Sequence, residues 1–114
     1  MKTAGILVVL ALVAAPLGAG ERLKLLVYSS GAAPSNVIIQ TIVAPEADNH
    51  ALAVVAESED FFRSSTIELD GDRAPRLSNI RFSQMPAGLY EVRATVLDRN
   101  GRALVTASQS LNIR

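Results

Sequence analysis

The residues Ile80-Arg-Phe-Ser-Gln-Met-Pro-Ala-Gly-Leu-Tyr-Glu-Val-Arg-Ala-Thr-Val96 decide the fold. Two runs that alternate apolar and polar residues flank Pro86-Ala87-Gly88. Alternation with period two marks a strand with one buried face and one wet face. The Pro-x-Gly between the runs forces the chain to reverse, because Pro presets φ and Gly accepts turn geometry at no steric cost. Two strands about a sharp reversal predict an antiparallel β-sandwich. They say little about biochemistry.

The same grammar extends outward in both directions. Gly31 with Pro34, then Pro45, then Gly71 with Pro75, and Asn100-Gly101 interrupt further apolar runs. Between the interruptions lie Leu23–Tyr28, Val37–Val43, Leu52–Glu57, Ser65–Leu69, Leu77–Ser83, Leu89–Leu97 and Arg102–Ile113. About seven strands with short loops is the count of an immunoglobulin-type sandwich. The predicted class is all-β, an antiparallel Ig-like β-sandwich of about seven strands preceded by an N-terminal signal helix. Asp98-Arg99-Asn100-Gly101 is the strongest hairpin signal, since Asn-Gly tolerates positive φ.

Parity predicts the core. Tyr90, Val92, Ala94 and Val96 share one face of their strand, and Glu91, Arg93 and Thr95 the other. The same reading assigns Leu52, Val54 and Ala56, then Ile67 and Leu69, then Ile80 and Phe82 to the interior. In the last run it assigns Ala103, Val105, Ala107, Leu111 and Ile113, with Gln109 as an odd member. Val37–Val43 is apolar on both faces apart from Gln40 and Thr41, which reads as a central strand.

The N-terminus bears on compartment. Lys2 is the only charge before Glu21, and Ile6 to Ala15 is an unbroken apolar run that ends at Pro16-Leu17-Gly18-Ala19-Gly20. A basic start, an apolar core of about ten residues and a small-residue exit fit a secretory signal. A transmembrane helix needs about 20 apolar residues. The expected organisation is a signal peptide at 1–19 and one domain at 20–114. The expected location is exported, periplasmic or extracellular, with anchoring by an uncleaved N-terminal helix as the alternative. No stable membrane insertion is expected once the signal is cleaved.

Composition narrows the chemistry. The chain has no Cys, so no disulfide staples it, and the core alone must hold the domain together. It balances 11 basic against 11 acidic residues, which gives no reason to expect nucleic acid or an anionic membrane as partner.

Met85-Pro86-Ala87-Gly88-Leu89-Tyr90 and the strand that follows resemble the Leu-Pro-Ala-Gly-x-Tyr segment of bacterial immunoglobulin-like and fibronectin type III-like modules. Prealbumin-like domains, such as the carboxypeptidase regulatory-like and adhesin B-type modules, carry a similar segment. The likeness covers Phe82 to Val96, and the rest follows by strand count alone. It implies a structural corner at Pro86, Gly88 and Tyr90, in which the Tyr hydroxyl bonds back to the backbone. The chain departs from fibronectin type III in having no Trp.

Candidate chemistry is sparse. His50 is the only histidine, in a loop Asp48-Asn49-His50 that reads as solvated, and one His without Cys does not make a transition-metal site. No Ser sits in a Gly-x-Ser-x-Gly elbow. Asp70-Gly71-Asp72 is flanked by Arg73 and Arg76 and reads as a polar reversal rather than a calcium loop. Lys24 and Asn112, on the first and last strands, face outward by parity, against an isopeptide crosslink between them. No catalytic, metal or cofactor site is expected, and the cofactor expectation is none.

Phe61-Phe62-Arg63 is the remaining feature. Adjacent aromatics on a strand face opposite ways, so one of the two is exposed or at a sheet rim. The segment reads either as a loop anchor folded over the core edge or as a partner contact made by Phe61, Phe62 and Arg63, since aromatics beside Arg are favoured at such contacts. The leading expectation is a non-enzymatic exported module acting by contact with an unidentified protein partner, or as a structural envelope component. The alternative is an accessory domain that binds a ligand such as polysaccharide. A flat apolar patch on an edge strand favours the first; an exposed coplanar pair of aromatics favours the second.

Overall fold

Alternation becomes two sheets in the computed structural model, which describes residues 22–114. Among these residues the strands are β1 (Leu23–Ser29), β2 (Ser35–Val43), β3 (Ala51–Glu57), β4 (Phe62–Glu68), β5 (Leu77–Met85), β6 (Gly88–Leu97) and β7 (Ala103–Ile113). They form a three-stranded sheet in the order β1-β2-β5 and a four-stranded sheet in the order β4-β3-β6-β7. All neighbouring pairs are antiparallel. The expected signal at 1–19 and its helix lie outside the described residues. Among those described, no helix is long and apolar enough to cross a membrane.

The core lies between the sheets. Leu23, Val37, Ile39, Val43, Ile80, Phe82 and Met85 enter from the smaller sheet; Leu52, Val54, Ala56, Tyr90, Val92, Ala94, Val96 and Ile113 enter from the larger. Burying each large apolar side chain is worth roughly 1.5–3 kcal/mol, so a chain without disulfides holds its shape through these contacts. β2 occupies the centre of its sheet. Val37, Ile39, Thr41 and Val43 are buried while Ile38, Gln40 and Ile42 point outward, which explains why this run is apolar on both sides.

The Pro86-Ala87-Gly88 reversal does not join paired strands. β5 and β6 belong to different sheets, and the turn carries the chain across the core. Tyr90, buried at the start of β6, donates its hydroxyl to the Pro86 carbonyl at 2.8 Å. That bond satisfies both polar groups at the point where the chain leaves one ladder and joins the next.

The β6–β7 hairpin turns through Asp98 to Gly101. Gly101 takes φ +82°, and the Asp98 carboxylate accepts bonds from the backbone N–H groups of Asn100 and Arg102, both at 2.9 Å. These bonds, that from Arg102 first, hold the Asp98 carboxyl below the usual aspartate range.

Four sequence readings are corrected. The fourth strand begins at Phe62, not Ser65, because Phe62–Ser64 continue the ladder opposite Val55–Glu57, and Leu69 is buried just beyond its end. Ala103 is exposed, because a register irregularity at Val96/Leu97 shifts the start of β7 against β6. On the same edge strand Gln109 is exposed, and Val105, Ala107 and Leu111 are half-buried, since the narrower sheet covers them only in part.

Last, Asp48-Asn49-His50 is not simply solvated. Asn49 is buried and its Nδ2 donates to the Ala44 carbonyl at 2.9 Å, meeting an acceptor that β2 leaves behind as the chain crosses sheets. Its backbone carbonyl accepts from Gly71 N–H at 3.0 Å. Gly71 has φ +55°, and a Cβ there would sit 3.1 Å from the Ala47 carbonyl oxygen, so a side chain would be strained and would press on the contact between the two crossing loops.

Candidate functional site

The outer face of the three-stranded sheet is the most unusual surface. Strand register aligns its outward residues in rows: Tyr28, Ile38 and Arg81; Leu26, Gln40 and Asn79; Lys24, Ile42 and Leu77. Leu26, Tyr28 and Leu77 are 40%, 54% and 50% exposed, and Ile38 and Ile42 lie half-buried between them. Leu26 and Tyr28 belong to β1, an edge strand. The charges on this face are both basic, Lys24 and Arg81, and each is exposed. Gln40 donates its Nε2 to Asn79 Oδ1 at 3.2 Å across the middle row, so the apolar residues stand around a polar centre, Tyr28, Ile38 and Leu26 on one side and Ile42 with Leu77 on the other. Exposed apolar side chains in such number are unusual on an antiparallel sheet, which ordinarily alternates apolar-in and polar-out.

The outer face of the four-stranded sheet differs. Its centre is built from small residues: Ala51, Ala53 and Val55 on β3, beside Ser64 and Thr66 on β4 and Thr95 on β6. Three carboxylates stand on it, Glu57, Glu68 and Glu91. Arg93 answers two of them, donating to Glu91 Oε1 at 2.6 Å and to Glu57 Oε1 at 3.3 Å. The bond to Glu91 is the main reason that the guanidinium pKa is raised, against the opposing pull of desolvation. Phe62 and Leu89 are the exposed large apolar residues on this side.

Phe61 and Phe62 diverge. Phe61 precedes β4 and packs against the core, edge-on to Tyr90 with ring centroids 6.2 Å apart and planes at 82°. Phe62 opens β4 and points to solvent. Arg63 turns toward the rim between the sheets. Its guanidinium lies 5.3 Å from the Phe61 ring and 5.9 Å from the Phe82 ring, and it donates to the Ser83 carbonyl at 3.3 Å. Arg63 therefore ties β4 to β5 while Phe61 packs on Tyr90 of β6, and Phe62 alone of the three points to solvent. The two phenyl rings do not form a common platform. Lys24 and Asn112 are both exposed and stand on different sheets, with no shared dry site.

One end of the sandwich holds a polar cleft of about 480 Å³, where the loops after β2, β4 and β6 meet. Asp48, His50, Asp70, Asp72, Asp98 and Arg99 line it. Among the described residues no group of three His, Cys, Asp or Glu side chains converges as metal ligands would.

Of the corner expected at Pro86, Gly88 and Tyr90, the structure shows the hydroxyl bond from Tyr90 to the Pro86 carbonyl; the exposed apolar residues of the three-stranded sheet were not anticipated. Their signal was present in Val37–Val43, whose two apolar sides imply that one of them is uncovered unless a third layer exists.

No family model matches the chain, and no curated protein does. Among solved structures, the chain is similar to a family 76 glycoside hydrolase from a bovine Bacteroides thetaiotaomicron strain, with a TM-score of 0.58 and 23% identity. That match takes in 79% of this chain and 20% of the hydrolase, so the chain spans about a fifth of its length. It is also similar to a superoxide reductase (neelaredoxin) from Ignicoccus hospitalis, with a TM-score of 0.59 and 8% identity over 82% of this chain and 81% of that one. At these identities the likeness is one of fold.

Proposed function

We infer that this chain is an exported, non-enzymatic immunoglobulin-like module that works by contact with another protein or as a structural part of the cell envelope. The strand orders β1-β2-β5 and β4-β3-β6-β7, with a Tyr corner between β5 and β6, support the immunoglobulin-like, fibronectin type III-like reading. The basic, apolar N-terminal run at 1–19 supports export. The observation that carries the function is the apolar outer face of Leu26, Tyr28, Ile38, Ile42 and Leu77, placed where a monomeric sandwich needs polar residues. The similarity to one fifth of a glycoside hydrolase fits a module used as a part within larger assemblies. It is also the one observation that favours the alternative, a polysaccharide-binding accessory role.

The test replaces Leu26 and Tyr28 by Ser together. Both side chains are outward, so the melting temperature should hold while capture of a partner from the envelope fraction is lost. A double variant that melts as wild type and still captures the same partner removes this face from consideration. Retention of the wild-type chain on envelope polysaccharide, abolished by the same change, would favour the alternative.

A further inference from the structure

Among the described residues, the large apolar side chains left exposed are Leu26, Tyr28, Phe62, Leu77 and Leu89, and every one stands on an outer sheet face. The strand charges sort in the same way. The three-stranded face carries Lys24 and Arg81 and no acid, whereas the four-stranded face carries Glu57, Glu68 and Glu91 against Arg93 alone. Shape sorts too. Tyr28, Leu26, Ile38, Ile42 and Leu77 project from the first; on the second, Phe62 and Leu89 rise at the Glu57–Glu91 end, beside a low floor of Ala51, Ala53, Ser64, Thr66 and Thr95.

We propose that these two faces recognise each other, so that the basic, projecting face of one copy docks on the acidic, small-residue face of the next. This rests on the reading of the three-stranded face as a protein-contact surface and names a second copy of this chain as its occupant. Large side chains on one sheet packing over small ones on the facing sheet is how sandwich layers interdigitate. Opposite charge on the two faces sets the register and disfavours each face pairing with itself, which would oppose Lys24 and Arg81 without any acid. Pairing of unlike faces is heterologous and leaves a free face at each end, so it builds a row of copies rather than a closed two-fold dimer. Three strands about 4.8 Å apart and a shared span of about 20 Å give a footprint of roughly 300 Å² on each copy, below that of a standard specific interface. The association is therefore weak, concentration-dependent and reversible.

Charge reversal separates this arrangement from its competitors. One variant carries Lys24→Glu with Arg81→Glu, the other Glu57→Lys with Glu91→Lys; all four side chains are exposed, and melting temperatures report whether the fold is kept. In sedimentation velocity the wild-type protein should grow in mean mass with concentration and shrink again as salt rises from ~0.05 to ~0.5 M. Each variant alone should associate at least ~tenfold more weakly, since like charges then face one another. The equimolar mixture should recover assembly, because each reversed face meets its complement on the other variant.

A wild-type chain that stays monomeric throughout overturns the proposal, and capture of a different envelope protein by that monomer leaves the protein-contact reading standing. Assembly of the Glu57→Lys, Glu91→Lys variant as strong as wild type overturns it too, since like faces would then be pairing. If a reversal fails to fold, Leu26→Ser with Tyr28→Ser and Phe62→Ser with Leu89→Ser block the same two faces. Their mixture should then stop at a dimer, and growth beyond a dimer would overturn the heterologous arrangement.

Discussion

Inside the sandwich, the three-stranded sheet contributes Leu23, Val37, Ile39, Ile80 and Phe82, and the four-stranded sheet contributes Leu52, Val54, Tyr90, Val92 and Val96. The two sets are chemically interchangeable. Outside, one sheet shows Leu26, Tyr28 and Leu77 with two bases, and the other shows mostly Ser, Thr and Ala, with Phe62 and Leu89 at one end and three carboxylates, two of them paired with Arg93. Folding imposes one demand on both inner faces, the removal of apolar surface from water. It imposes none on the outer faces, so the residues chosen there report use. The outward residues therefore bear on function and the inward ones on fold.

The sharpest way to break this comparison uses two neighbours on one strand. Ile39→Ala, inside, should cost about 2–5 kcal/mol, as other buried large-to-small changes do, while Ile38→Ala, on the outer face, should cost well under half as much. Urea unfolding measures both, and equal losses would mean that the outer face is covered by a third layer. Phe61 and Phe62 repeat the comparison across the sheet edge. Phe61→Ser should cost roughly 3 kcal/mol, and Phe62→Ser should stay within about 0.5 kcal/mol.

A hydrogen bond separates the corner from mere packing. Tyr90→Phe keeps the ring and removes the donor to Pro86, with an expected loss of about 1–3 kcal/mol in the same assay; stability within error of wild type would deny the corner its role. On the polar outer face, Arg93→Ala should cost only about 0–1 kcal/mol, because the ion pairs with Glu57 and Glu91 are solvent-exposed. A larger loss would show that this face too carries the fold.

The smallest effect concerns Asp98. Its folded carboxyl titrates below the ordinary aspartate value, so the turn's contribution is present above the unfolded pKa and fades as pH falls through the folded one. Carboxyl chemical shifts followed down the acid range should place its midpoint below that of a model aspartate, and a midpoint at or above that value would contradict the turn geometry.

Legibility followed locality. The alternation of Leu52–Glu57 and Leu89–Leu97 carried their inner faces in plain view, and the cores of these strands are buried as parity predicts. The start of β4 was hidden because Phe61-Phe62 and Ser64-Ser65 blur the period, and Ala103 was misplaced because a register irregularity in pairing leaves no mark on composition. Asn49 read as an ordinary loop polar residue, since the acceptor it satisfies, the Ala44 carbonyl, becomes isolated only when the chain changes sheets.

By itself the sequence determined the class, the strand count, the inward set in most strands and the turn chemistry at Gly88, Tyr90 and Gly101. Each of these depends on residues within a few positions of one another, where φ preference and side-chain period act directly. Only the tertiary structure decided that β5 and β6 part company at Pro86, and that Ile39 rather than Ile38 faces the core. It alone decided that Tyr28 neighbours Ile38 and Arg81 while Arg93 meets Glu57. Those neighbours come from pairing between strands far apart in the chain, and alternation states that a strand has a partner without stating which.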